Sequence, residues 1–210
     1  MKKKRGVLFD FDGTIFDSLG IGYRATCVVF ERAGCIPPSY DDFWLHCHAP
    51  FEMFYQNRGV NLSSKEIWKL FLGVADFDTA TFFPDVVPVL QILTARGFAL
   101  GVVSGNTHQT IQRCCDRDNL TPFFTAGIFG DVGNKTPVIE DWCSAYEVPR
   151  TRTWYVGDFV SDMRQARVAG VCGVGIMRGN KKETVLHEAG ASFCINTLHD
   201  LLPKLGVYTD

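Results

Sequence analysis

Residues 7–18 read VLFDFDGTIFDS. An apolar run ends in Asp10, Asp12 follows two residues later, and Asp17 lies just beyond. A carboxylate at the tip of a buried segment is costly unless positive charge or hydrogen bonds compensate it. On an extended segment Asp10 and Asp12 point to one side, while Phe11 points to the other, into the core. Gly13 permits a tight turn and a close approach of backbone to ligand. A carboxylate pair at a strand end can hold a cation, or divide labour between nucleophile and acid/base. Taken alone, D-x-D is equally compatible with turn chemistry or a solvated strand end.

Working outward, further short apolar runs read as buried strands. With residues 6–10 they are 99–104, 126–129, 153–157, 172–176 and 193–195. Helical patterns lie between most of them, which predicts an α/β fold with a mainly parallel sheet and helices on both faces. In such sheets, sites form beyond the carboxyl ends of the strands. The polar residues there are Asp10, Asp12, Ser104 and Asp158. Residues 11–98 are far more than the roughly dozen a strand-to-strand crossover needs, and a structureless loop of that length is uncommon. A helical insertion at 16–83 accounts for them, leaving 1–15 and 84–210 as the core domain. Within it, Ser18 can cap a helix over 18–33 that Gly34 ends, with Ile21, Ala25, Val28 and Val29 on one face. Asp17 is expected to support the start of this helix. Two more helices follow the loop IPPSYDDF, the second capped by Ser63 or Ser64.

The bulk composition narrows the function. The chain has 210 residues, 46% hydrophobic and 21% charged, which is ordinary globular composition. A net charge of −2 gives no electrostatic case for a nucleic acid polymer or an anionic membrane. No apolar run is long enough to span a bilayer, and carboxylates interrupt the signal-like MKKKRGVLFDFDG. Lys2, Lys3, Lys4 and Arg5 read as a solvated entry to the first strand. The eight cysteines are scattered without C-x-x-C, which predicts reduced thiols in a cytoplasmic protein. His46, Cys47 and His48 lack a second cluster at ligand spacing, so structural zinc is not expected.

Three more elements carry chemistry. Ser104 ends FALGVVS and is followed by Gly105 and Asn106; a hydroxyl with free amides at a strand-to-helix turn can cradle an anion. Asn106 or Thr107 can equally cap the next helix. Lys135 in GDVGNKTPVIEDW sits just before a helix whose cap is Thr136 and whose first turn holds Pro137. In WYVGDFVSDMRQARVAG, Asp158 stands at a strand tip and Asp162 four residues on. Ser161 can cap the helix there and Gly170 end it; Asp162 can simply favour its dipole.

DFDGTIFDS, VVSGN, GNKTP and GDFVSDMRQARVAG, in this order, resemble the four motifs of the haloacid dehalogenase-like superfamily, over about residues 6–175. The resemblance implies a Rossmann-like core with an α-helical cap inserted after the first strand. It implies transfer of phosphate through an aspartyl-phosphate, with Mg²⁺ as cofactor. Asp10 would be nucleophile and metal ligand, and Asp12 general acid/base with its carbonyl on the metal. Ser104 and Lys135 would bind the phosphoryl group, with Gly13, Gly105 and Asn106 beside them. Asp158 would be a metal ligand, and Asp162 would support a metal water or Lys135. Two departures stand out: Gly105 separates Ser104 from Asn106, and Phe159 and Val160 follow Asp158 where relatives often carry small polar residues.

The charges fit those roles. Up to four carboxylates would converge, and Mg²⁺ with Lys135 offsets much of that. Asp12 favours phosphoester over carbon–halogen chemistry, because an alcohol leaving group needs a proton and halide does not. The expected function is Mg²⁺-dependent hydrolysis of a small phosphorylated metabolite of phosphoglycolate or sugar-phosphate type, by a monomer or homodimer. A sugar phosphomutase of the β-phosphoglucomutase kind shares every motif. A receiver-like signalling domain shares the acidic pair, hydroxyl and lysine, but is shorter and has no insert. A non-catalytic scaffold would lack a catalytic group, and none is missing. In the cap, Trp44, His46, His48, Phe51, Phe54, Tyr55 and Arg58 are candidates to face substrate.

Overall fold

The computed structural model describes residues 4–47, 51–179 and 182–208, so Lys2, Lys3 and His48 lie outside the described residues. The chain divides into two compact units, Met1–Phe16 with Phe82–Asp210, and Asp17–Thr81. The second unit carries helices α1 (Leu19–Arg32), α2 (Tyr40–His46), α3 (Phe51–Gln56) and α4 (Ser64–Leu72). The first holds α5 (Val86–Ala95), α6 (His108–Arg117), α7 (Lys135–Ala145), α8 (Val160–Ala169), α9 (Glu183–Ala189) and α10 (Leu201–Lys204).

In the first unit, strands alternate with these helices, as the apolar runs predict. They are β1 (Arg5–Phe9), β2 (Phe98–Val103), β3 (Ile128–Phe129), β4 (Thr153–Gly157), β5 (Cys172–Ile176) and β6 (Phe193–Ile195). They form one parallel sheet in the order β3-β2-β1-β4-β5-β6. β3 is shorter than the run 126–129 suggests, because Gly127 (φ +101°) leaves strand geometry. Connections depart from β1 in opposite directions, to β2 and to β4, so a topological switch point lies at its carboxyl end. Phe9 is in register with Val102 on one side and Val156 on the other. That register sets Asp10, Ser104 and Asp158 just past the tips of three adjacent strands.

Leu8, Val103 and Tyr155 pack one face of the sheet against Ile139 and Trp142 of α7 and Ala166 of α8. The Trp142 indole anchors itself by donating to the Ala126 carbonyl at 2.7 Å. Its ring lies so close to β1 that a Cβ on Gly6 would stand 2.3 Å from Cη2.

The second unit has its own aromatic core. Phe30, Phe43, Phe54, Tyr55 and Ile67 form it, with Phe51 packed against them. α1 buries Ile21, Ala25, Val29 and Phe30, with Val28 half-buried at the edge. Ser18 precedes α1, but its hydroxyl makes no capping bond, and Asp17 lies one residue further out with its amide donating to Thr81. Gly34 (φ +70°) turns the chain out of α1, and Ser63 caps α4 in a reciprocal pair with Glu66. The aromatics expected to face substrate are therefore largely packing residues: Phe54 and Tyr55 are buried in this core, and Trp44 is buried as well. Helices this short must pool large rings to bury enough apolar surface. Arg58 is held by Asp42 at 2.7 and 2.8 Å and stacks on Phe54, and Asp42 also takes the His46 ring at 2.9 Å.

Gly6→Ala is expected to lower stability by about 1–3 kcal/mol, the usual cost of overpacking a close contact. A urea titration with fluorescence detection checks it.

Candidate active site

The loop after β1 is built as a rigid turn. Asp10 N donates to Val156 O at 2.8 Å, continuing the ladder one residue beyond the strand. The amides of Thr14, Ile15 and Phe16 all converge on the Phe11 carbonyl, and Gly13 N donates to Phe16 O at 2.8 Å. Gly13 takes φ +74°, a conformation that strains other residues. Phe11 is fully buried and stacks on Phe16 at 4.7 Å, with Phe82 at its edge. The aromatic ring pins the loop from below and leaves the flanking carboxylates at the sheet's edge.

Lys135 is delivered by the start of α7. The cap is Asn134, whose side chain accepts from Thr136 N at 3.2 Å, so Thr136 is inside the helix and not its cap. The Lys135 amide donates to the Gln165 side chain of α8. The Lys135 ammonium, itself buried, donates to Asp10 Oδ1 and Asp162 Oδ1, each at 2.7 Å. Asp162, not Ser161, ties the N-terminus of α8, accepting from Phe159 N at 3.0 Å. Asp162 lies so close to β4 that a Cβ on Gly157 would meet its side chain at 2.6 Å. The glycine is what lets this carboxylate in.

Asp158 shares the cluster. Its Oδ1 accepts the Thr14 hydroxyl at 3.2 Å, while its Oδ2 is buried without a hydrogen-bond partner. One oxygen from each of Asp10, Asp158 and Asp162 lies within 4.8 Å of the others. Asp162 thus lies within reach of the other two while its Oδ1 is bonded to Lys135. The Asp12 side chain is turned elsewhere: Asn106 Nδ2 donates to it at 3.0 and 3.3 Å. With Gly105 interposed, Asn106 reaches across to β1, and its Oδ1 accepts the Thr107 amide at 2.8 Å. Thr107 caps α6. Ser104 is buried at the end of β2, and its Oγ accepts the Asn106 amide at 3.2 Å.

Charge is unbalanced here. Burial drives the Asp10 carboxyl up to about 7; Lys135 opposes this, while Asp162 and Asp12 add to it. Burial also pushes Asp158 well up, with Asp10 and Asp162 adding to the effect. Burial alone would lower Lys135, but Asp10 and Asp162 outweigh it and hold the ammonium well above its usual range. A divalent cation suits this donor set: hard carboxylate oxygens, excess negative charge, and one buried oxygen with no other partner.

Known proteins resemble this chain over most of its length. Residues 7–176 match the haloacid dehalogenase-like hydrolase family. A phosphoglycolate phosphatase of Synechococcus elongatus is 25% identical, over 94% of this chain and 95% of its own. One of Caulobacter vibrioides is 27% identical, over 94% and 89%. Among solved structures, a haloacid dehalogenase-like hydrolase of Streptococcus pneumoniae superposes with a TM-score of 0.79 at 20% identity, over 97% of this chain and 99% of that one. The chain belongs to the haloacid dehalogenase-like hydrolase family. Within it, the chain is an enzyme of the phosphatase type.

Several contributors have no local sequence signal. Gln165 and Tyr155 are examples; the Tyr155 hydroxyl donates to Val103 O at 3.0 Å, and Lys135 lies over its ring. Thr14 is legible only as part of DGT.

Because Asp10 keeps a proton that the unfolded chain sheds near pH 4, its contribution to stability is full below that pH and is lost as pH rises towards about 7. In EDTA, the urea midpoint is expected to fall between about pH 4 and about pH 7, and Asp10→Asn to flatten that slope. Asp158→Asn is expected to raise the metal-free thermal midpoint, by about 2–4 °C per kcal/mol recovered, read by scanning calorimetry.

Proposed function

We propose that this chain hydrolyses a small phosphomonoester, of phosphoglycolate or sugar-phosphate type, through an aspartyl-phosphate on Asp10 and with Mg²⁺ as cofactor. The observation that carries this reading is the buried set of three carboxylates facing one buried lysine, with Asp158 Oδ2 left without a partner. An acidic cluster this costly to a metal-free protein is expected at a functional site. The phosphoglycolate phosphatase relatives support the substrate class.

The residues that would hold Mg²⁺ are Asp10, Asp158 and the Asp12 carbonyl, with Asp162 behind them. Bound there, the ion supplies positive charge against the phosphoryl oxygens. In the first half-reaction an Asp10 oxygen bonds to phosphorus as the bond to the leaving alkoxide breaks, and Asp12 gives that alkoxide its proton. In the second, Asp12 takes a proton from water, whose oxygen attacks phosphorus and frees Asp10 and inorganic phosphate. Charge spreads over the phosphoryl oxygens in both transition states, and Lys135 and the Ser104 hydroxyl stabilise it. Asn106, bound to both Asp12 oxygens, holds that carboxylate beside the reacting bond.

Purified protein with Mg²⁺ is expected to release phosphate from phosphoglycolate, a sugar phosphate or a generic aryl phosphate, and EDTA to abolish the release. Asp10→Asn is expected to reduce turnover by roughly 10³-fold or more, the scale seen when a nucleophile is removed. Undiminished turnover in chelator, or in Asp10→Asn, would sink the respective assignment.

A further inference from the structure

The turn that carries Asp10 and Asp12 is gripped from a distant loop. Arg178, two residues past β5, donates to the Thr14 carbonyl from Nε at 3.1 Å and from Nη2 at 2.5 Å. Its Nη1 donates to Asp85 Oδ2 at 2.6 Å, and the guanidinium lies 3.9 Å from the Phe83 ring centroid. Asp85, buried just before α5, also accepts the Leu198 amide at 2.6 Å. Phe83 N in turn donates to Ile15 O at 3.1 Å, so the Asp85 segment runs beside the same turn.

Two features separate this from an ordinary surface ion pair. The Arg178 side chain is only 11% exposed and its backbone sits at φ +48°, a conformation that costs a non-glycine residue and persists only where its surroundings enforce it. The residue it holds is also a relay. Thr14 gives its carbonyl to Arg178 and its hydroxyl to Asp158 Oδ1 at 3.2 Å. A planar fork of donors serves the carbonyl and the carboxylate in one fixed geometry, which the flexible point charge of a lysine ammonium does not reproduce.

We infer that Arg178 is a positioning residue of the active site, with Asp85 as its counter-ion. It fixes the backbone of the Asp10–Thr14 turn, and through the Thr14 hydroxyl it sets the Asp158 carboxylate for the divalent cation. The inference rests on the metal assignment of Asp158 made above. Partners of ligating carboxylates commonly change metal affinity by about 10–100-fold when removed.

The test combines Mg²⁺ titration calorimetry on metal-free protein with phosphate-release kinetics, for wild type, Arg178→Lys, Thr14→Val and the double variant. Arg178→Lys is expected to weaken Mg²⁺ binding and lower kcat by about tenfold each, with KM changed less than about threefold. Thr14→Val is expected to do the same. Because both act through one relay, the double variant is expected to be no more than about twofold worse than the weaker single. Asp85→Asn keeps an acceptor for Leu198 and weakens the ion pair, so a smaller loss in the same direction is expected. A role in stability alone would lower the melting temperature of Arg178→Lys and leave its Mg²⁺ affinity and kcat within about twofold of wild type; that result, or losses that multiply in the double variant, overturns the inference. Wild type that neither binds Mg²⁺ nor releases phosphate overturns the metal assignment itself, and this inference with it.

Discussion

Three buried carboxylates share one buried ammonium. Lys135 bonds to Asp10 and Asp162, while Asp158, in the same cluster, makes no bond to it and keeps one oxygen without a partner. Burying a charge is tolerable only when it is paired, and here pairing stops short by design of the site. The excess shows as carboxyl groups pushed far towards their protonated forms. Most features around the cluster serve to hold these four side chains against that cost: the Phe11 pin under the turn, the glycine at 157 that admits Asp162, the Gln165 grip on the Lys135 amide, and the Thr14 relay held by Arg178.

The fold supplies the framework cheaply. A parallel sheet places every strand's carboxyl end on one edge, and the register of β1 with β2 and β4 brings Asp10, Ser104 and Asp158 together without long side chains. Helix starts do the rest, since α7 begins at Lys135 and α8 is tied at its N-terminus by Asp162. A chemical site is thus assembled from chain segments far apart in sequence, each anchored by ordinary secondary structure.

Much of this was legible in the sequence, for physical reasons. Apolar runs ending abruptly in Asp10, Ser104 and Asp158 mark strand tips, because a short buried strand turns polar where it reaches the edge of the sheet. Lys135 alone resembles any loop lysine, and its burial depends on pairing with Asp10 and Asp162, 125 and 27 residues away. Arg178 is 164 residues from Thr14, and no local pattern announces its role. Aromatic residues of the inserted unit misled for the opposite reason: rings that pack a small helical core and rings that face a ligand look the same in sequence, and Phe54 and Tyr55 proved to be core. The bond from the Asn106 side chain to Asp12 had no local signal either, since it joins residues 94 apart in sequence.

The proposed role of the charge imbalance is to let Asp10 accept a phosphoryl group. Acid-quenching the enzyme during turnover with Mg²⁺ and mapping its peptides by mass spectrometry measures this directly. One phosphoryl group on the peptide containing Asp10, absent in chelator, is the predicted result. Steady phosphate release with no phosphorylated peptide at any quench time, or a phosphoryl group carried on another residue, would contradict it.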